Sequence, residues 1–268
     1  MKKTAYTVKP GRLVSLADYD PDDTGPYDSE EQTAELLAGL RAELAELQGL
    51  LFADNRYAVL IVLQGMDGSG KDSTIRHVMS SLTPLGCSAT PFKTPSEEEL
   101  EHDFLWRIHK ALPGRGTIGI FNRSHYEDVL IVRVHNLVPR QVWKHRYRQI
   151  NDFERMLTET GTVILKFFLH ISKDEQKKRF EERLKNPTKY WKFAPKDIEE
   201  RKFWDDYMAA YEAVLTKCST AWAPWTIVPA NHKWYRNLIV AQTIVKALKD
   251  LDLQWPAPTF DRSQVVIE

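Results

Sequence analysis

The stretch QGMDGSGKDST at residues 64–74 constrains the fold most, because it directly follows the uninterrupted apolar run 58–63. An apolar run of this length is typical of a strand buried on both faces. A glycine-rich turn between such a strand and a helix predicts a phosphate-binding loop. Its glycines let backbone N–H groups turn towards phosphate oxygens, and the helix that starts near Gly70 adds the positive end of its dipole.

The residue after the loop lysine differs from the usual pattern, in which a Ser or Thr hydroxyl holds magnesium. Here Asp72 stands at that position, where it could cap the helix or attract a cation. Asp67 adds a carboxylate that would repel phosphates unless magnesium lay between them. We therefore predict that the Lys71 ammonium contacts the transferred phosphate and that the Asp67 carboxylate binds the metal ion. The alternative is a glycine turn with a purely structural role. The predicted phosphate-binding residues of the loop are Gly65, Gly68, Ser69, Gly70, Asp72 and Ser73.

Apolar runs alternate with helical patterns along most of the chain. The predicted strands are 58–63, 88–93, 117–122, 162–169 and 225–229. The predicted helices are 31–53, 70–82, 97–111, 139–159, 173–185, 196–217 and 232–251. This alternation predicts one α/β domain over residues 1–268, with a five-stranded parallel sheet between two helical layers. In helix 31–53, leucines recur every three or four residues, which favours packing on its own domain over an oligomer contact.

The two ends of the chain read as arms, a polar N-terminal one at 1–30 and a proline-containing C-terminal one at 252–268. The start has a basic pair without an apolar stretch behind it, so no signal peptide is expected. Two cysteines suit a reducing cytoplasm, and the longest aliphatic run is far below the roughly 18 residues of a membrane span. Lys+Arg and Asp+Glu number 37 each, which argues against a general nucleic-acid binder.

A second polar cluster, IFNRSHYEDVLIVRVHN, spans residues 120–136. Many phosphate-loop enzymes hold magnesium with an acidic residue at the end of this strand, where Asn122 stands here. Because the carboxyl ends of parallel strands share one sheet edge, we predict that the cluster faces the phosphate loop. The alternative is a salt-bridged helix start, and His125 is expected to be structural. The candidate site residues here are Arg123, Glu127, Asp128 and Arg133.

The segment 177–202 holds ten Lys/Arg against five Asp/Glu in a chain with no net charge. Tyr190, Trp191 and Phe193 interrupt the basic run. This pattern predicts a mobile helical lid that closes over polyanions, with the Asn186–Pro187 break as its hinge. A solvated helical surface is the alternative interpretation.

Three ordered motifs carry a resemblance to a known family. GMDGSGKD, FNRSHYEDVL and the stretches KYWKF, WDDY and APWTIVPANHKWYRN together resemble the polyphosphate kinase 2 family over roughly residues 30–250. The resemblance implies a thymidylate-kinase-like phosphate-loop fold and magnesium-dependent phosphoryl transfer between inorganic polyphosphate and nucleotides, with Mn²⁺ as a substitute metal. It also implies that Asp72 belongs to the family's own form of the loop.

The version NRSHYED, with Asn122 and Glu127, resembles the members that accept both AMP and ADP and form ADP and ATP. The roles that the resemblance implies are catalytic for Asp67, Lys71, Arg123, Glu127, Asp128 and Arg133; metal-binding for Asp67 and Glu127; and polyphosphate-binding for Arg179, Arg183 and Lys192. No catalytic base is expected, because the attacking phosphate oxygen is already ionised. We also expect a homo-oligomer, either a dimer or a tetramer.

Two other functions compete with this interpretation. One is a nucleotide or nucleoside kinase of the same fold that uses ATP, and a long basic track for an extended phosphate chain would distinguish the two. The other is a nucleotide-sensing switch. Neither Asn-Lys-x-Asp nor Leu-Ser-Gly-Gly-Gln occurs in the sequence, which counts against GTPase and transporter-type switches.

Overall fold

A five-stranded parallel sheet forms the centre of the protein, with strand order β2-β3-β1-β4-β5. The computed structural model describes residues 6–262, 265 and 267. The strands are Ala58–Gln64 (β1), Cys87–Pro91 (β2), Ile118–Asn122 (β3), Thr162–His170 (β4) and Trp225–Pro229 (β5). This confirms the prediction of a five-stranded parallel sheet. All seven residues of β1 are buried, as the apolar sequence of a central strand requires.

The register of the sheet brings the polar sequence motifs to one edge. Leu63 of β1 pairs with Asn122 of β3, so these two strands end at the same level. The glycine-rich loop leaves β1 at this level, and the cluster that begins at Arg123 leaves β3 beside it. The fold therefore places both predicted motifs at the carboxyl edge of the sheet, where ligands bind in open α/β folds.

Helices cover both faces of the sheet. They are α1 (Glu31–Asp54), α2 (Lys71–Val78), α3 (Glu97–Leu100), α4 (Trp106–Lys110), α5 (Ile131–Val134), α6 (Arg140–Glu159), α7 (Lys173–Lys185), α8 (Pro195–Arg201), α9 (Trp204–Lys217) and α10 (Lys233–Lys249). Two predicted helices are each divided. Helix 97–111 is interrupted where the Asp103 carboxylate accepts a hydrogen bond from the Leu105 backbone N–H. Helix 196–217 breaks at Phe203. The Phe203 N–H donates to Glu200 O three residues earlier, as in a 3₁₀ turn, instead of four residues earlier as in an α-helix.

Helix α1 packs against α10 and buries part of its leucine stripe. Leu44 and Leu51 are fully buried, and Gln48 between them exchanges hydrogen bonds with the backbone of Thr83. An ion pair joins Glu43 to Lys249 of α10. These contacts confirm the prediction that α1 packs on its own domain.

The N-terminal arm pairs with the outer edge of β5. The N–H of Val8 donates to Trp225 O (2.8 Å), and the N–H of Ile227 donates to Tyr6 O (2.9 Å). Residues 1–5 of the predicted N-terminal arm, and 263, 264, 266 and 268 of the C-terminal one, lie outside the described residues. Within the part of the chain that the structure describes, no helix is both long and apolar enough to cross a membrane.

A buried ionic cluster supports the segment that follows β3. Lys166 donates to Glu154 (2.5 Å), to the Tyr126 hydroxyl (2.9 Å) and to Cys218 O (2.7 Å). Glu154 also contacts His125 (3.2 Å), and the side chains of His125, Glu154 and Lys166 have no exposed surface. Burial lowers the pKa of His125, so its imidazole is neutral and takes part in this network through its contact with Glu154.

Candidate active site

The phosphate loop closes on its own lysine. The Lys71 ammonium donates to Gly65 O (2.7 Å) and to Met66 O (3.3 Å), and the side chain is 9% exposed. Burial lowers the pKa of Lys71, although Asp67 opposes the shift. The ammonium thus lies inside the loop, where it is positioned to contact a phosphate oxygen.

Gly70 is needed because of what lies behind the loop. Its φ of 100° is a conformation that side chains disfavour, and an added Cβ would lie 2.0 Å from Nη1 of Arg236. Gly65 is similarly confined, since a Cβ there would lie 2.8 Å from Leu169 O. The loop backbone therefore packs directly onto the structure beneath it.

Asp67 lies between two cations. Its Oδ1 is 2.6 Å from Nη2 of Arg123 and 4.0 Å from Nζ of Lys71. Burial raises the pKa of Asp67, but the charges of Lys71 and Arg123 outweigh burial and leave it lowered, so the carboxylate is ionised. Glu127 lies near the same two cations; there burial prevails and raises the pKa of its carboxyl group.

The loop helix and the end of β3 are joined directly. Asn122 donates to the Asp72 carboxylate at 2.5 Å, so Asp72 makes this contact and does not cap α2. The Ser73 hydroxyl accepts from Arg236 (3.3 Å). The hydroxyl of Ser69 is buried and has no hydrogen-bond partner among the described residues. The phosphate loop and the cluster after β3 therefore lie in contact, as predicted from the sequence.

The second cluster is divided between two environments. Asp128 pairs with Arg146 (2.9 Å), and Arg133 donates to the Tyr147 hydroxyl (3.3 Å) and stacks over Trp143. The chain forms a 3₁₀ helix over His125–Val129, in which neighbouring side chains point about 120° apart. This geometry turns Asp128 away while Glu127 stays near the loop. Asp128 and Arg133 thus make contacts away from the phosphate loop, and the catalytic roles of both stay predictions.

A large cationic cleft opens in front of the phosphate loop, with a volume of about 660 Å³. Ten Lys/Arg residues line it against four Asp/Glu. The basic ones are Lys71, Arg76, Lys93, Arg123, Arg179, Arg183, Lys189, Lys192, Lys233 and Arg236. The acidic ones are Asp67, Asp72, Glu182 and Asp197. Such an excess of positive charge favours a ligand that carries several negative charges.

The basic segment 177–202 forms one wall of this cleft. It consists of the end of α7, a 3₁₀ helix over Pro187–Lys192, and α8. The Asn186 carboxamide caps that 3₁₀ helix by accepting from Thr188 N, so a break lies where the hinge was predicted. Arg183 donates to Lys192 O (3.2 Å), which connects the two helical parts.

Arg179 makes its contacts within the protein, and its predicted binding of polyphosphate stays a prediction. It is 6% exposed, and its guanidinium donates to Gly68 O, Ser69 O, Ala230 O and Asn231 O and to the Glu175 carboxylate. Its donors are thus occupied by the protein itself. Arg179 supports the back of the phosphate loop, and Arg183 and Lys192 remain the candidates of this segment for contact with a ligand.

Several lining residues were missed by sequence reasoning. Arg236 and Lys233 come from the start of α10, Lys93 follows β2, and Trp191 is 77% exposed at the rim. Arg236 lies in the stretch HKWYRN, whose likeness to the family was the only signal for it. Lys233 is the one charged residue near it on α10, and the apolar run 238–241 follows, so no local charge pattern marks it.

The donor set fits a magnesium ion held mainly by phosphates. No group of three or more His, Cys, Asp or Glu residues that could hold a metal occurs among the described residues. Magnesium is commonly bound by one or two carboxylates together with substrate phosphates. The ionised, partly exposed carboxylate of Asp67 on the cleft wall meets that requirement, with Glu127 nearby.

Comparisons with known proteins agree with this geometry. The model of the family Polyphosphate kinase 2 matches residues 27–256. The chain is 52% identical to an AMP/ADP-polyphosphate phosphotransferase of Meiothermus ruber, with 100% of both chains covered. It is 46% identical to an ADP-polyphosphate phosphotransferase of Rhodopseudomonas palustris, over 100% of this chain and 97% of that one. The crystal structure of polyphosphate kinase 2 from Arthrobacter aurescens TC1 superposes with a TM-score of 0.92 at 47% identity, covering 96% of this chain and 92% of that one. The chain belongs to the polyphosphate kinase 2 family.

Proposed function

We propose that this protein transfers the terminal phosphoryl group of inorganic polyphosphate to AMP and to ADP, reversibly and with Mg²⁺. The observation that carries the proposal is the cleft, where ten basic residues extend from the phosphate loop to segment 177–202. One bound nucleotide would not require so many cations, whereas an extended phosphate chain would. The names of the two relatives from Meiothermus ruber and Rhodopseudomonas palustris support the same reaction.

The reaction exchanges one phosphoanhydride bond for another. An ionised phosphate oxygen of the nucleotide attacks the terminal phosphorus of the chain, and the bond to the next bridging oxygen breaks. The shortened polyphosphate leaves with the negative charge, so no side chain has to accept a proton. The protein must overcome the repulsion of two polyanions, which Lys71, Arg123 and Arg183 do by charge and by fixing the reacting groups in line.

Magnesium would be held by Asp67, with Glu127 as the second carboxylate close to the loop. When bound, the ion neutralises charge on the phosphates of donor and acceptor. Arg123 would keep the Asp67 carboxylate in place through their 2.6 Å contact.

A direct assay tests the proposal. Purified protein is incubated with AMP, long-chain polyphosphate and Mg²⁺, and ADP and ATP are followed over time. We expect ADP to appear first and ATP to follow. Formation of ADP from AMP only when ATP replaces polyphosphate would refute the proposal in favour of an ATP-using kinase. An oligomer and a cytoplasmic location remain predictions.

Glu127→Gln is expected to lower kcat/KM for AMP more than for ADP. AMP is one phosphate shorter, so its attacking oxygen lies farther from a fixed donor, and a carboxylate beside Lys71 and Arg123 can hold a cation in the gap. Loss of one charged interaction is worth about 1–3 kcal/mol, roughly tenfold to a hundredfold in the AMP/ADP ratio. The measurement is kcat/KM for each acceptor on the single variant.

Glu182→Gln is the matched control for this prediction, since Glu182 is a cleft carboxylate on α7 that pairs with Lys233. It removes the same charge away from the β3 end and should leave the AMP/ADP ratio unchanged. An unchanged ratio in Glu127→Gln would exclude Glu127 from the acceptor site, and an equal change in both variants would attribute the effect to overall cleft charge.

Arg183→Gln is expected to weaken polyphosphate binding most at low salt. Each cation that contacts a polyanion releases counter-ions, so removing one should reduce the slope of log Kd against log salt by about one. Lys178→Gln is the control, because Lys178 is on the same helix, is exposed and lies outside the cleft lining. Identical slopes for Arg183→Gln and the unaltered protein, measured by calorimetry from low to high salt, would contradict the contact.

A further inference from the structure

Arg236 is a fully buried arginine without an acidic partner in the described part of the chain. Its guanidinium donates to Ser69 O (3.4 Å), to the Ser73 hydroxyl (3.3 Å) and to the Asn237 carboxamide oxygen (2.8 Å). All three acceptors are neutral. Burying a charge that is hydrogen-bonded but not neutralised costs free energy, and proteins rarely do so without a use for it.

A second buried arginine adds to this charge. Arg179 and Arg236 both donate to Ser69 O, and the position of a Cβ on Gly70 would be 2.0 Å from Arg236 and 3.7 Å from Arg179. Of these two arginines, Glu175 pairs with Arg179 (2.7 Å), and its other ion pair is with the exposed Lys178 (3.8 Å). Burial lowers the pKa of Arg236 to about 9, and the charge of Arg179 adds to this effect. The protein thus keeps one unmatched positive charge behind its phosphate loop.

The cationic cleft borders these contacts. Ser69 and Ser73 accept from Arg236, and Gly70, Lys71, Ser73 and Arg236 itself line the cleft, although Arg236 has no exposed surface. A phosphate chain in the cleft would therefore lie close to the buried Arg236 guanidinium. At a buried guanidinium the attraction is screened less than in water.

We propose that Arg236 is a positioning residue whose counter-charge is the phosphate chain bound in the cleft, so that the free protein is destabilised by this charge and the bound protein is not. The inference rests on the proposed function only for the identity of the anion as polyphosphate. Removal of an ordinary structural arginine lowers the melting temperature of the free protein. Removal of Arg236 should leave this temperature unchanged or raise it.

The test compares Arg236→Gln, which removes the charge but keeps amide donors, with Arg236→Lys, which keeps the charge but loses the fork. We expect the melting temperature of ligand-free Arg236→Gln to equal or exceed that of the unaltered protein. Its Kd for long-chain polyphosphate, by calorimetry at fixed ionic strength, should rise by about tenfold to thirtyfold. This is the size expected for one unit charge acting across about 8–12 Å at an effective dielectric constant of about 20. Arg236→Lys should keep most of the affinity.

Arg146→Gln provides the contrast, because Arg146 is a partly buried arginine that does have a carboxylate partner, Asp128. Its loss should lower the melting temperature of the free protein. The proposal is overturned if Arg236→Gln behaves in the same way, fails to fold, or binds polyphosphate unchanged, and also if the lysine variant loses as much affinity as the glutamine variant.

The proposed function can fail separately. If polyphosphate does not raise the melting temperature of the unaltered protein while ATP does, the donor is wrong. The same variants titrated with ATP then test Arg236 by the same criteria.

Discussion

Lys71→Ala should reduce kcat for phosphoryl transfer by about a thousandfold, or about 4 kcal/mol of transition-state stabilisation. The ammonium is held inside the phosphate loop by Gly65 O and Met66 O, where it can follow charge that develops on the transferred group. Burial lowers the pKa of Lys71 in the free protein, so the alkaline limb of kcat/KM should begin below the pKa of an ordinary lysine.

The fold should survive this substitution. A buried ammonium with a lowered pKa costs stability, and Asp67 keeps its contact with Arg123, so the melting temperature of Lys71→Ala should not fall. Lys233→Ala is the control: Lys233 lines the same cleft but is 55% exposed at the side chain and should lose far less activity. Near-normal turnover in Lys71→Ala would refute the assignment of the loop as the transfer site.

Breaking the buried Lys166–Glu154 pair should produce the largest loss of stability. Glu154→Gln leaves the Lys166 ammonium buried without a carboxylate, and removing one partner of such a pair typically costs about 3–5 kcal/mol of unfolding free energy. Denaturant unfolding measures this change. The paired replacement of Glu154 by Leu and Lys166 by Met should recover most of the loss, because apolar side chains of similar size need no counter-charge.

The same pair gives a pH dependence of known sign. Burial raises the pKa of Glu154, but Lys166 and His125 outweigh it and leave the pKa lowered. A carboxyl group whose folded pKa lies below its unfolded value, about 4.3, stabilises the fold above that value. This contribution disappears as pH falls through the folded pKa. The Leu/Met double variant should lose less stability in acid, and an acid profile identical to that of the unaltered protein would contradict the prediction.

The sheet was predictable from the sequence because its strands are short apolar runs between helical patterns. Strand β4 shows where such reasoning ends. Lys166 interrupts an otherwise apolar strand, and its partner Glu154 lies on α6, so neither residue indicates the other locally. The divided helices were missed for a similar reason, since the periodicity of 97–111 continues across a turn that the side chain of Asp103 stabilises.

The candidate site was predicted where motifs are contiguous and was missed where the fold assembles it. Asp67, Lys71 and Arg123 meet because β1 and β3 are neighbouring parallel strands whose carboxyl ends share one edge of the sheet. Arg179 and Arg183 are both arginines and lie one turn apart on α7. Arg179 nevertheless donates to the backbone of the phosphate loop, whereas Arg183 lines the cleft. The contact of Arg236 with Ser69 depends on the packing of α10 against α2, for which the sequence holds no local signal.

The pairing of the N-terminal arm with β5 has a consequence for how the chain acquires its structure. The hydroxyl of Ser219, just before β5, donates to Val8 O across 211 residues of sequence. At a synthesis rate of about 5–20 residues per second, Ser219 is synthesised about 10–40 s after Val8. During that interval the first-made segment has no edge strand to join. Completion of the sheet edge is therefore a late event of biosynthesis, and the high sequence separation of the contact also predicts slow refolding in vitro.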